Sequence, residues 1–469
     1  MSWRAVLLLG AALTLARGLL ATLVTPPWQR PDEPGHYELV ALIEELGRIP
    51  EAGESLPALT RAINESARSQ HFERFQQLSI DDYQAQDPPQ LIGPREVGYQ
   101  YPFYYQVLAG LFPVLPDAPV LSHYYALALA SSLLGVIVVV LTGLAARALF
   151  QGRLELVILT MLVVLLWPSR AFLAGGINND NLAILTGAWG AWATVRLFRT
   201  GPRWFDVLNV LAAAGLSVLT KRTTIILAGW LVGCLIWRIG LDWLGRQPER
   251  RQRQWRRTAL LTAFLIGLGV LFVWSSRGLA VVVAAWLETS PWDGARYLGA
   301  VLRFAPLDLF SRPNLARLEG YLGWLPSNFW AGLGWGTLQM PGWTYGVAGL
   351  GAVLSLLGWG VFLVTGRRRL SLEPWQGAAL TGFAASVVLV SAPALLRTLV
   401  ELSYSDSGLY GPGRYLLTIV APMSILVVFG WSRLVPERYW AHLTHFGVAG
   451  LILLDAVALG LTVIPYYYR

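Results

Sequence analysis

The chain has 469 residues, 55% of them hydrophobic and only 14% charged, with a formal net charge of +8 and a mean hydropathy of +0.50. Soluble domains are nearer a quarter charged, so this composition excludes a disordered, collagenous or disulfide-stapled protein and reads as a polytopic membrane protein. The single cysteine, Cys234, sits in an apolar run and excludes a disulfide framework or a cysteine metal site.

Apolar runs of roughly 17–25 residues are long enough to cross a bilayer, where only a helix satisfies its own backbone. Such runs predict an all-α protein of about eleven transmembrane helices, near 5–24, 120–146, 154–172, 182–198, 205–220, 223–239, 258–275, 345–365, 377–396, 415–431 and 446–464. Before the first span stands one basic residue, Arg4, and no small-residue cleavage site precedes Thr25-Pro26-Pro27, so this span reads as a retained helix rather than a signal peptide. With the N-terminus inside, the inner loops hold Arg147 and Arg153, Arg199 and Arg203, the run Arg246 to Arg257, Arg367 to Arg369, Arg433 and Arg438. That placement follows the positive-inside rule, and it accounts for the net charge better than a nucleic-acid surface does.

The whole chain, 1–469, reads as a single integral membrane domain with two long segments on the outer face, 25–119 and 276–344. In the first, 34–47 and 56–78 have helical periodicity with charged faces, as juxtamembrane helices do. Residues 102–115 are apolar but too short to span, and they fit a re-entrant or interfacial helix, as 278–287 also does. Work at that outer face is expected, because scaffold-borne loops are where chemistry concentrates.

The densest chemical signal is Pro31-Asp32-Glu33-Pro34-Gly35-His36. Pro34 suits a first helical turn, which puts Asp32 and Glu33 at a helix N-terminus, where the dipole favours ionised carboxylates. His36 lies three residues after Glu33 and four after Asp32, so the three groups can meet on one side of that turn. Such carboxylates accept a proton from a hydroxyl or help bind a divalent cation; a capped helix with an interfacial histidine is the plainer alternative. Asn178-Asn179-Asp180-Asn181 precedes the fourth span as a cap or a polar site. Lys221-Arg222, in a tight turn on the outer side, breaks the positive-inside pattern and calls for an anionic partner, a lipid phosphate or a protein acid; snorkelling to head groups is the plainer alternative. Arg414, before Tyr415 at the mouth of the tenth span, suits an anion or an ion pair with Asp406; Arg170 and Arg397 also lie near outer ends. Asp455, inside the last span, calls for a partner such as Arg or Tyr. No nucleotide-binding Gly-rich loop, HExxH or GxSxG is present.

Thr25-Pro26-Pro27-Trp28-Gln29-Arg30-Pro31-Asp32-Glu33-Pro34-Gly35-His36-Tyr37 resembles the first-external-loop motif of GT-C superfamily glycosyltransferases, in the bacterial branch with PDEPxH after the first span. Tyr101-Pro102-Phe103-Tyr104-Tyr105, Ile177 to Ala183, Gly215 to Lys221, Ser327 to Trp335 and Gly413 to Leu417 resemble further segments of that family, in order. The resemblance implies a GT-C fold and inverting transfer of a sugar from a polyprenyl-phosphate donor to an extracytoplasmic glycan, lipid or protein, while the near-exclusive use of Arg over Lys and the lack of organellar signals favour a bacterial inner membrane. It makes Asp32 the base, with Glu33 supporting it. Lys221 and Arg414 would contact donor phosphate, with His36, Tyr101, Asn179, Asp180, Arg222 and Tyr415 around the substrate. No organic cofactor is implied; a divalent cation, Mg or Mn, held by Asp32, Glu33 and His36 stays open. Tyr101-Pro102-Phe103 departs from the basic residue and two prolines of many relatives, so one phosphate-binding cation is missing. A polyprenyl-lipid or glycan transporter is the alternative from another class; it needs polar residues along a path through the spans, where only Arg17 and Asp455 stand out. A catalytically inactive lipid-binding relative is the third reading.

Overall fold

The structure is a computed structural model that describes residues 2–51, 53–72, 102–112, 118–245, 325–334, 338–365, 372–404 and 413–469. The described chain is helical apart from one isolated bridge between Leu333 and Leu338. Among the described residues, seven helical stretches are long and apolar enough to cross a membrane: Trp3–Val24, Val120–Leu149, Ile225–Asp242, Gly342–Thr365, Pro374–Ala392, Gly413–Leu434 and Glu437–Tyr468. The expected span at 258–275 and the expected re-entrant segment at 278–287 lie outside the described residues, as do Tyr101 and Asp406.

Helix α1 (Trp3–Val24) ends at Thr25, and α2 (Glu33–Leu46), α3 (Pro57–Ser69) and α4 (Phe103–Ala109) follow before α5 (Val120–Leu149) returns. The expected charged outer face is not found on most of α2. Its residues from Glu33 to Ile43 are all buried, so it is a packed element of the fold. Residues 154–172 form two helices, α6 (Leu154–Leu165) and α7 (Pro168–Leu173), rather than one span. Pro168 disfavours helical backbone at the preceding residue, and Trp167 accordingly sits at ψ 115°.

The next helix, α8 (Asp180–Thr200), is central: almost every residue from Asp180 to Phe198 is buried. It packs against α5, α9 (Trp204–Thr220), α10 (Ile225–Gly245), α13 (Pro374–Tyr404) and α14 (Val420–Leu434). A short helix α11 at 325–331 precedes α12 (Gly342–Thr365), and a 3₁₀ turn, Gly413–Ile419, leads into α14. The chain closes with α15 (Trp440–Val457), a π turn (Ala458–Val463) and α16 (Ile464–Tyr468). The two charged residues that stood out within the apolar spans find each other: Arg17 of α1 donates to both carboxylate oxygens of Asp455 of α15 at 2.8–2.9 Å.

Candidate functional site

The segment after α1 is shaped by two backbone outliers. Trp28 and Asp32 both take left-handed φ values, 73° and 60°. Aspartate tolerates that region better than most side chains, yet a non-glycine residue there stores strain that the surroundings must hold. The surroundings do so through Arg30, which is fully buried. Its guanidinium donates to Ala21 O at 2.7 Å, Phe172 O at 2.9 Å and Tyr124 Oη at 3.1 Å, tying the end of α1 to α7 and α5. Sequence reasoning passed over Arg30, because nothing in its spacing separates it from a membrane-flanking arginine.

Glu33 is held in the same knot. Its carboxylate accepts from Tyr124 Oη at 2.8 Å, Ile177 N at 3.1 Å and Arg30 N at 3.3 Å, and its side chain is 0% exposed. Burial raises its pKa, partly offset by Arg30 and those hydrogen bonds. The expectation that Asp32, Glu33 and His36 converge is therefore corrected: Glu33 turns into the scaffold, and among the described residues no group of three His, Cys, Asp or Glu is placed to hold a metal ion. The left-handed turn at Asp32 is the physical reason, since it rotates neighbouring side chains apart.

Asp32 faces another way, and its side chain is 28% exposed. Arg414 Nη2 donates to its Oδ2 at 2.5 Å. Burial alone would raise the Asp32 pKa, but the Arg414 charge and hydrogen bond outweigh that and hold it below the ordinary carboxylate value. Behind Arg414 stands Asp180 at the start of α8, which accepts from Lys221 Nζ at 2.6 Å. Lys221 thus takes the protein acid, of the two anionic partners its position called for, rather than reaching out to head groups. Arg414 Nε lies 3.6 Å from Asp180 Oδ2, and both atoms are buried without a hydrogen bond among the described residues. Two carboxylates and two cations thus form one chain, Asp32–Arg414–Asp180–Lys221. The Tyr415 ring lies beneath both cations, 4.8 Å from Lys221 Nζ and 5.9 Å from the Arg414 guanidinium.

His36 completes the near wall. It is buried, and its Nδ1 shares a hydrogen bond of 2.8 Å with Tyr105 Oη. Burial lowers its pKa to about 4, so the imidazole is neutral at physiological pH. Tyr104, beside it on α4, accepts from Asn178 N at 3.0 Å and pairs with Ser131 at 2.9 Å. Asn178 in turn donates to Pro31 O and accepts from Asp180 N, which links the turn before Asp32 to the start of α8. Asn179 occupies the N-cap position of α8 but makes no capping bond with its side chain. The Arg222 backbone lies in a 3₁₀ turn after Lys221, and its side chain is outside the description, as is that of Arg397. Arg170 does not join the cluster; its guanidinium donates to Gly135 O at 2.8 Å inside the bundle.

The position of Arg414 depends on the segment at 327–332. Asn328 Oδ1 accepts from Gly413 N at 2.6 Å. A Cβ on Gly413 would stand 2.5 Å from Phe329 N, so only glycine allows this approach. A family model described as "Predicted membrane protein (DUF2142)" matches residues 15–423. The chain belongs to that family. With several apolar helices long enough to span, this DUF2142 protein is an integral membrane protein. A search of curated proteins finds no match. Among solved structures, the chain is similar to a crystal structure of ArnT from Cupriavidus metallidurans bound to undecaprenyl phosphate, at 14% identity and a TM-score of 0.45, covering 99% of this chain and 74% of that one.

Proposed function

We propose that this DUF2142 protein is a membrane glycosyltransferase that moves a sugar from a polyprenyl-phosphate donor to an acceptor outside the cytoplasm. The reading places it in a bacterial inner membrane, with the N-terminus cytoplasmic and Asp32 at the outer face. The observation that carries it is the Asp32–Arg414 pair, the most accessible part of a charge chain that continues to Asp180 and Lys221. The cluster is balanced, two charges of each sign, so an arriving phosphate must draw a cation from a carboxylate. Arg414 is the one able to do so, because its Nε already lacks a hydrogen-bond partner among the described residues.

The consequence for Asp32 is direct. When Arg414 turns to the donor phosphate, the carboxylate loses the charge that held its pKa down and becomes a stronger base. The acceptor hydroxyl passes its proton to Asp32 while its oxygen bonds to the sugar C1. The C1–O bond to phosphate breaks with its electron pair, and Arg414 and Lys221 meet the charge on the departing lipid phosphate. Attack opposite the leaving group inverts C1. Glu33 and Arg30 serve this scheme as positioning residues, and His36 with Tyr105 shapes the wall. The polar residues within the described spans favour this reading over a transporter, since Arg17 and Asp455 neutralise each other instead of lining a path.

Native mass spectrometry of the full chain titrated with undecaprenyl phosphate tests the donor class. Binding is expected, and Lys221→Ala combined with Arg414→Ala should remove it. In membranes supplied with polyprenyl-phosphate sugars, Asp32→Asn should cut transfer roughly 10²–10⁴-fold, the usual contribution of a general base, while lipid binding persists. Near-normal turnover in that variant, or a wild-type protein that binds no polyprenyl phosphate, overturns the proposal.

A further inference from the structure

At the ends of the helices far from Asp32, a cavity of about 210 Å³ opens between the α5–α6 turn, the start of α13 and the α14–α15 turn. Its polar lining comes from Gln151, Arg153, Gln376, Arg433, Glu437 and Trp440. Most of their donors are already used. Gln376 Nε2 donates to Leu149 O at 2.7 Å, Gln151 Nε2 to Gln376 Oε1 at 3.3 Å, and Trp440 Nε1 to Ser432 O at 3.1 Å. Arg153 pairs with Glu437 at 3.0 Å on the open rim.

Arg433 differs. Its Nε and Nη1 are buried and donate to nothing among the described residues. The guanidinium is nevertheless fixed, lying 4.1 Å from the centre of the Phe429 ring and 5.7 Å from that of Phe362. A guanidinium held in place on aromatic faces, lining a cavity with no ion-pair partner among the described residues, offers its charge to an oxyanion. Among the described lining residues, two arginines against one glutamate leave one positive charge.

We propose that this cavity is a phosphate site, separate from the Asp32 cluster, in which Arg433 and Arg153 supply the cations. The volume limits what enters. It is smaller than the roughly 300–1,000 Å³ of pockets for drug-sized ligands, yet several times the roughly 30 Å³ share of one water. A phosphate with a short substituent fits, and a nucleotide does not. Such a group comes either from an anionic phospholipid, whose head groups lie level with the span ends, or from soluble phosphate.

The full chain, purified and reconstituted in nanodiscs, separates these sources. Native mass spectrometry should show phosphatidylglycerol retained in preference to phosphatidylcholine if the head group is the ligand. If the ligand is soluble, inorganic phosphate should raise the melting temperature in phosphatidylcholine discs where chloride does not. In either case Arg433→Gln should weaken binding roughly tenfold or more, the scale of a lost charged hydrogen bond. Arg433→Lys keeps the charge and should bind weakly with an unchanged ligand-free melting temperature. If Arg433→Gln fails to fold, Arg153→Gln on the exposed rim decides, with a smaller loss expected. Asp32→Asn should leave this binding intact, so the result stands apart from the transferase reading. Equal retention of the two lipids with no phosphate response, or unchanged affinity in Arg433→Gln or in Arg153→Gln, overturns the proposal.

Discussion

Asp32 and His36 lie close enough for their charges to interact, yet burial and partners drive them to opposite uses. Asp32 is kept ionised by Arg414; His36 is kept neutral by burial, its pKa falling from 6.5 to about 4. The second shift fixes a pH dependence. Between those two values the unfolded chain binds a proton at this residue that the folded chain does not, so stability rises with pH across the window. The contribution is complete above pH 6.5 and is lost as pH falls towards 4. It amounts to about 3 kcal/mol, taking 1.36 kcal/mol for each pH unit. His36→Asn, which can still hydrogen-bond the Tyr105 hydroxyl but does not titrate, should show a shallower fall in melting temperature between pH 6.5 and 4. Superimposable acid limbs for the two proteins would refute this account of His36. None of it was legible from spacing: the motif put His36 near the carboxylates, but only the enclosing α2 and α4 decide that it is neutral. The same holds for Glu33, whose neighbour Asp32 takes a left-handed backbone that no residue pattern announces.

At the level of elements, the link from 327–332 to the 3₁₀ turn is what aims Arg414. Asn328 reaches Gly413, while its own carbonyl accepts from Ser169 Oγ at 3.2 Å, and Trp167 Nε1 donates to Phe329 O at 2.9 Å. Removing the acceptor in Asn328→Ala strands a backbone N–H, at a cost of about 1–3 kcal/mol. The expected outcome is a lower melting temperature together with weaker undecaprenyl phosphate binding, and Asn328→Asp, which keeps an acceptor oxygen, should restore much of both. Unchanged lipid binding in Asn328→Ala would show that this contact does not aim Arg414. A second close approach lies beneath it, where a Cβ on Gly187 would collide with Thr418 O at 1.6 Å, so α8 needs glycine to receive the 3₁₀ turn. Sequence periodicity located nearly all of these helices, and it failed at 154–172 because hydropathy averages over Pro168 without registering the break.

Across the whole molecule, Asp32, Asp180, Lys221 and Arg414 gather at one end of the described helices. With Cys234→Ala as background, single cysteines at Ser69 and Glu373, both exposed, should label from opposite sides of intact cells. Labelling from the same side would overturn the orientation and the outer-face assignment of Asp32 with it. The Arg17–Asp455 pair joins the first and last spans, and losing one partner of so enclosed a pair costs about 3–5 kcal/mol. The sequence by itself determined the membrane class, most of the spans and the polar motifs between them, because a bilayer demands long apolar helices and makes every charge conspicuous. Which charges meet was decided by tertiary structure alone. Asp32, Asp180, Lys221 and Arg414 come from four separate stretches of chain, and an ion pair depends on distances that only the packing of those helices around α8 sets.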